Sequence, residues 1–221
     1  MKRLAIFLMF ACVVSMNALA GVSTDSTTKL RFQTLAKKMR LKTPELKEGE
    51  YEVRIWNDQA LRYGEAQMLY ILTKKEKQFS VSKYLIESDR QGFRYAVQLN
   101  PNPTIPIDNT LWEQFVQQGI LGPPNEVVIH DQLFAKPPKD STWNVVEADG
   151  IVSVKAKLRN DTRVLIADGE GYYFEVFSAT SYQSASYGNP RGYLEHKPNI
   201  AELRKVVTIL NKLAVLFRSS N

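Results

Sequence analysis

Cysteine is almost absent from this chain: there is a single one, Cys12, among 221 residues. It lies in the apolar run LAIFLMFACVV, which follows Lys2 and Arg3 and gives way to Ala18-Leu19-Ala20 before Gly21. A basic start, a short apolar stretch and a small-residue end are the three parts of a secretory signal peptide. The run is too short to span a bilayer comfortably and lacks a basic stop-transfer flank. Residues 1–20 are therefore expected to be a signal peptide cleaved after Ala20, which places the mature protein in the periplasm or outside the cell. Met9-Phe10-Ala11 ahead of Cys12 is not the small-residue context that lipid attachment requires. Without Cys12 the mature chain has no thiol, which excludes disulfides, thiolate metal sites and cysteine nucleophiles. A chain of about 200 residues buries around 70% of its unfolded surface and can stand without such staples.

Histidine is nearly as scarce, with only His130 and His196. They form no i, i+4 pair, and two histidines without thiols do not close a zinc site by themselves, so no metal or cofactor is expected. No serine occupies a Gly-x-Ser-x-Gly elbow, and no Ser-x-x-Lys stands in a helical frame within the body of the chain. The glycines of DGEG, residues 168–171, precede a strand pattern and lack a following lysine, so they predict a hairpin and not a phosphate loop. Carboxylates are available for acid–base work in Glu147, Asp149, Asp168, Glu170 and Glu175, but a glycosidase pair is defined by separation in space.

Acidic residues are missing from one stretch. Of the 29 basic residues, Lys2 and Arg3 leave with the leader, so 27 face the 23 acidic ones. Six of them, Lys29, Arg31, Lys37, Lys38, Arg40 and Lys42, lie between Ser26 and Pro44 with no acid among them. The basicity belongs to an N-terminal arm or helix, residues 21–49, and the rest of the chain is slightly acidic. As a helix this arm is expected to turn Leu30, Leu35 and Met39 inward; as a charged surface it suits anionic lipid or polyanionic glycan. With no basic face on the body and an export signal in front, nucleic acid is not an expected partner.

What the chain has in abundance is β pattern. Residues 51–56, 66–74, 78–87 and 93–99 read as four strands joined by short turns, hence an antiparallel meander. In the first, Tyr51, Val53 and Ile55 alternate with Glu52, Arg54 and Trp56; in the last, Phe93, Tyr95, Val97 and Leu99 share a face. Seven of the ten prolines then fall within residues 101–138, predicting ordered loop broken by one short helix. That helix is TLWEQFVQQG, with Thr110 and Glu113 at capping-box spacing, Leu111, Trp112, Phe115 and Val116 as its apolar face, and Gly119 at its stop. EVVIH and TWNVV are weaker strand candidates. A second meander is expected from residues 151–159, 162–167 and 171–178. On a strand, His130 and Asp131 point to opposite faces, which argues against a hydrogen-bonded dyad.

The C-terminal segment carries the clearest pattern. Asn199 and Glu202 have capping-box spacing, and Ile200, Leu203, Val207, Leu210, Ala214 and Phe217 recur at helical intervals, widened by Val206, Leu213 and Leu216. It predicts a helix packed across the sheet, with Arg204, Lys205 and Lys212 in solvent. The fold expected for residues 50–221 is thus one α+β domain. Its mostly antiparallel strands form one large sheet, a partly closed barrel, or two small sheets, with a short central helix and a packed C-terminal amphipathic helix.

Between the last strand and that helix stands SYQSASYGNPRGYLEH, residues 181–196. Tyrosine offers a rigid face with a polar edge, while serine and glycine adapt around it, the residue mixture of binding surfaces. Tyr182, Tyr187, Arg191, Tyr193 and His196 are the candidate ligand- or partner-binding residues. If strand geometry holds, Tyr182, Ser184 and Ser186 share one face, and Tyr187 lies on the other with Gln183 and Ala185. The structural alternative is that Gly188-Asn189-Pro190 is turn chemistry and the tyrosines lie over the sheet edge. These readings lead to an exported, soluble binding module for a protein or glycan of the cell envelope, of inhibitor or immunity type. The alternatives are a cell-envelope hydrolase using a carboxylate pair or His130, and a structural envelope protein.

Overall fold

The computed structural model describes residues 26–58, 67–102, 104–134, 141–148, 150–157, 166 and 169–218. The expected signal peptide, the strand at 162–167 except for Ile166, and Asp149 and Asp168 lie outside the described residues. The chain is α+β, built as three layers around an open, wholly antiparallel sheet.

The sheet contains β1 (Tyr51–Asp58), β2 (Gln67–Lys75), β3 (Gln78–Asp89), β4 (Gly92–Leu99), β7 (Gly171–Ser178) and β8 (Tyr182–Gly188), in the order β4-β3-β2-β1-β7-β8. The first meander forms as its pattern predicts. The expected second meander does not. β7 crosses back to pair with β1, from Tyr51 opposite Ser178 to Asp58 opposite Gly171, while β5 (Ser141–Val146) and β6 (Val152–Lys157) form a separate two-stranded ribbon. The apolar side of β6 is left open, with Val152 and Val154 57% and 68% exposed.

Pairing with β7 places β1 in the centre, so both of its faces are covered, and its even-numbered side is not the solvent face that alternation suggests. Val53 and Ile55 enter the core under the C-terminal helices, and Arg54 and Trp56 are buried on the opposite side. At the other margin, a bulge in the β3–β4 ladder pairs Glu87 with Tyr95 but Ser88 with Phe93. One extra residue inverts side-chain parity. Phe93 therefore packs beside Ile86 and Ala96, while Tyr95 and Val97 face outward on the other side, which breaks the single apolar face expected of β4.

One face of the sheet carries α2 (Asn109–Gln117), α3 (Glu126–Leu133), α4 (Pro190–His196) and α5 (Ala201–Leu216). α5 supplies most of this layer, burying Leu203, Val206, Val207, Ile209, Leu210, Leu213 and Leu216. It starts one residue later than its capping box suggests, with extended Ile200 at the cap and no side-chain cap bond. In α2 the cap is Asp108, whose Oδ1 accepts from Leu111 N at 3.0 Å, not Thr110; Trp112 and Phe115 are buried as expected. EVVIH is not a strand. Asn125 Oδ1 accepts from Val127 N at 2.9 Å and from Val128 N at 3.3 Å, and this cap starts α3 directly after two prolines. Asn189, in the left-handed region at φ 44°, and Pro190 at the first turn likewise start α4 where a plain turn was expected.

Among the described helices, the other face carries α1 (Ser26–Lys38). Phe32, fully buried, stacks between Trp56 and Tyr173 with both ring centres 5.2 Å away. Ala36 is buried beside it, and Leu35 and Met39 pack at the margin. Leu30, expected inside, is 64% exposed, because Phe32 sets the inward direction and Leu30 lies two residues, about 200°, around the helix.

Candidate functional site

The five candidate residues do not form one surface. The β7–β8 register, Phe177 to Tyr182, Glu175 to Ser184, Phe174 to Ala185 and Tyr172 to Tyr187, places Tyr182 and Ser184 on the α1 side and Ala185 and Tyr187 on the helical side. Tyr182 donates from its hydroxyl to Glu175 Oε1 at 3.0 Å and lies 3.1 Å from the Tyr173 hydroxyl. Burial and the neighbouring Tyr173 and Glu175 hold its phenol far above the ordinary tyrosine range. Arg191 ties α4 to the sheet: Nη1 donates to Glu170 Oε2 at 2.8 Å and to the Tyr172 hydroxyl at 2.5 Å, and Nε donates to Asn211 Oδ1 at 3.3 Å. His196 is exposed at the end of α4.

Tyr187 and Tyr193 do converge. They line a cavity of about 410 Å³ closed by Glu126, Val127, Ile129, His130 and Leu133 of α3, by Phe134, by the end of β8, and by Leu203 of α5. Tyr187 is buried, meets Phe174 edge-on at 5.2 Å and donates to the Pro124 carbonyl at 2.5 Å. Burial, then the carboxylates Glu126 and Glu202, push its phenol well up. Tyr193 meets Phe134 edge-on at 5.9 Å, and His130 lies 4.8 Å from the same phenyl ring. The walls are mostly hydrocarbon and aromatic, with few polar groups, which is the composition of a ligand seat, and the volume lies in the range of such sites.

Glu126 supplies a carboxyl to this cavity. Its Oε2 accepts from Ser186 N at 3.0 Å, which covers a backbone donor on the outer edge of β8. Burial raises its carboxyl above the usual range, although the Ser186 bond and His130 oppose the rise. On α3, Glu126 and His130 are one turn apart and share a side. His130 Nδ1 lies 3.8 Å from Asp131 Oδ1, with both side chains exposed, which is too long for a hydrogen bond. Sequence reasoning missed Glu126 because it read residues 126–130 as a strand. The available signal was Pro-Pro-Asn-Glu, in which a cap residue follows the prolines.

The three described carboxylates considered for a glycosidase pair are dispersed. Glu170 holds Arg191 on the helical face, Glu175 is buried under α1, and Glu147 accepts from Ser153 Oγ at 2.9 Å in the β5–β6 ribbon. Among the described residues no three His, Cys, Asp or Glu side chains cluster as metal ligands. Among them, too, no helix is long and apolar enough to cross a membrane.

The chain matches no protein-family model, no curated protein and no solved structure at a significant level.

Proposed function

We propose that this protein is an exported binding module that captures a protein partner in the cell envelope by seating an apolar side chain between α3, α4, α5 and the end of β8. The observation that carries this reading is the cavity itself: a hydrocarbon and aromatic hollow with one partly buried carboxyl at its side. Such walls match an aliphatic or aromatic anchor of a polypeptide better than a sugar, whose hydroxyls would meet few partners. The N-terminal pattern of Lys2, Arg3, the apolar run and Ala18-Leu19-Ala20 supports export.

The test is a selection of phage-displayed peptides on residues 21–221, counter-selected on Val127→Arg, which places a charge at the partly exposed rim. The expected result is a consensus with one aliphatic or aromatic anchor, lost on Val127→Arg and weakened on Tyr193→Ala. No enrichment, or enrichment retained on Val127→Arg, overturns the reading. A second reading, hydrolysis, draws on the raised Glu126 carboxyl one turn from His130. It requires turnover of an envelope peptide or glycan that Glu126→Gln lowers by orders of magnitude, whereas a binder has no such rate to lose.

A further inference from the structure

A second hollow lies on the opposite side of the molecule, between α1 and the far end of the β7–β8 hairpin. It has a volume of about 720 Å³, far more than a single ion needs. Lys29, Gln33 and Lys37 of α1, spaced four residues apart, line one side. Leu41, Thr43 and Pro44 line another, and the turn from Ser178 to Ser181 a third, with Phe177, Tyr182 and Arg54 beside them.

The charges in this cleft are of two kinds. Those of the sheet are tied into bonds within the protein: Glu175, 3% exposed, accepts from Trp56 Nε1 at 2.8 Å and from the Tyr182 hydroxyl at 3.0 Å. Arg54 pairs with Glu52 at 2.7 Å and donates to the Lys42 carbonyl at 2.6 Å. The lysines of the helix are placed differently. Lys29 rests its ammonium 4.8 Å from the centre of the Tyr182 ring, and among the described residues neither Lys29 nor Lys37 pairs with a carboxylate. The stretch between Ser26 and Pro44 contributes no acid of its own. A cation held over an aromatic face inside a concave wall is one that an incoming anion displaces from the ring.

We propose that this cleft binds an acidic saccharide, with its carboxylate or sulfate taken between Lys29 and Lys37 and a ring face laid on Tyr182. Three observations select a sugar chain over other anions. The volume accommodates rings. The turn wall presents hydroxyls, with Ser178 Oγ and Ser181 Oγ 2.7 Å apart. The two lysines line a recess, which a flat bilayer surface does not enter. This site lies across the sheet from the apolar cavity and does not depend on it.

The experiment measures binding of residues 21–221 to an oligogalacturonide and to a sulfated chondroitin oligosaccharide by calorimetry at low salt. Maltoheptaose is the neutral probe, and vesicles containing phosphatidylglycerol are the membrane probe. Lys29→Gln/Lys37→Gln removes the site charges. Lys75→Gln/Lys77→Gln removes the same charge from an exposed turn outside the cleft. The proposal expects at least one acidic oligosaccharide to bind, roughly tenfold or more weakly in the first pair and nearly unchanged in the second, because charge-assisted contacts are local and strong. Binding should also weaken as salt is raised. Equal losses in both pairs, binding of maltoheptaose as tight as that of the acids, binding to vesicles alone, or no binding at all overturns it.

Discussion

Replacing Phe32 by alanine isolates the hold of α1 on the sheet. The ring is fully buried and is stacked at 5.2 Å on both Trp56 and Tyr173. Truncating a buried phenylalanine costs about 3–5 kcal/mol in lost transfer energy and cavity, and two favourable ring contacts place this site towards the upper part of that range. For a chain of this size each kcal/mol lowers Tm by about 2–4 °C, so the variant should melt roughly 6–20 °C below the wild type. Among the described α1 side chains the only other buried one is Ala36, so α1 is expected to leave the sheet before the rest unfolds. Release would bare Trp56, Leu69, Ile86 and Tyr173, red-shift the tryptophan emission, and open the chain to trypsin after Lys37, Lys38 and Arg40. It would also remove Lys29 and Lys37 from the proposed saccharide cleft, so the variant should lose that binding while keeping the apolar cavity. A fall in Tm under about 2 °C with unchanged trypsin cleavage would refute the account of Phe32 as the plug that seats α1.

Leu210→Ala in α5, where the side chain is 2% exposed, should cost about 2–5 kcal/mol in urea unfolding; an unchanged midpoint would remove α5 from the core. Tyr187→Phe keeps the ring but deprives the buried Pro124 carbonyl of its donor, at about 1–3 kcal/mol, and a neutral result would show that water replaces the hydroxyl there. Glu126 binds its proton more tightly folded than unfolded, because burial raises its carboxyl above 4.5. Below that pH both states are protonated and the effect vanishes; as pH rises through the folded pKa, the wild type loses stability. Glu126→Gln lacks this loss, so urea midpoints at pH 4 and pH 7 should shift in the variant's favour at the higher pH. A shift in the wild type's favour would place the carboxylate in a charge-stabilising site instead.

Local pattern was enough wherever neighbours in sequence are neighbours in space. The β1–β4 meander and α5 follow from periodicity and short connections, and Trp112 and Phe115 follow from helical spacing in α2. Pattern failed where one residue changed the outcome. The bulge at Glu87/Ser88 inverted part of β4, and Asn125 as a cap turned a β-prone segment into α3. The candidate binding residues were legible as a composition but not as a site, because β8 points Tyr182 and Tyr187 to opposite faces.

By itself the sequence determined the chemistry available: no thiol beyond Cys12, two histidines, a basic stretch free of acids, and enough amphipathic pattern for an α+β core. Tertiary structure decided which groups meet. The return of β7 to pair with β1 buried both faces of that strand, separated β5–β6 from the main sheet, and placed the apolar cavity and the lysine-lined cleft on opposite sides of it. Pairing between strands more than a hundred residues apart is set by the packing of the whole core, which no window of local sequence contains.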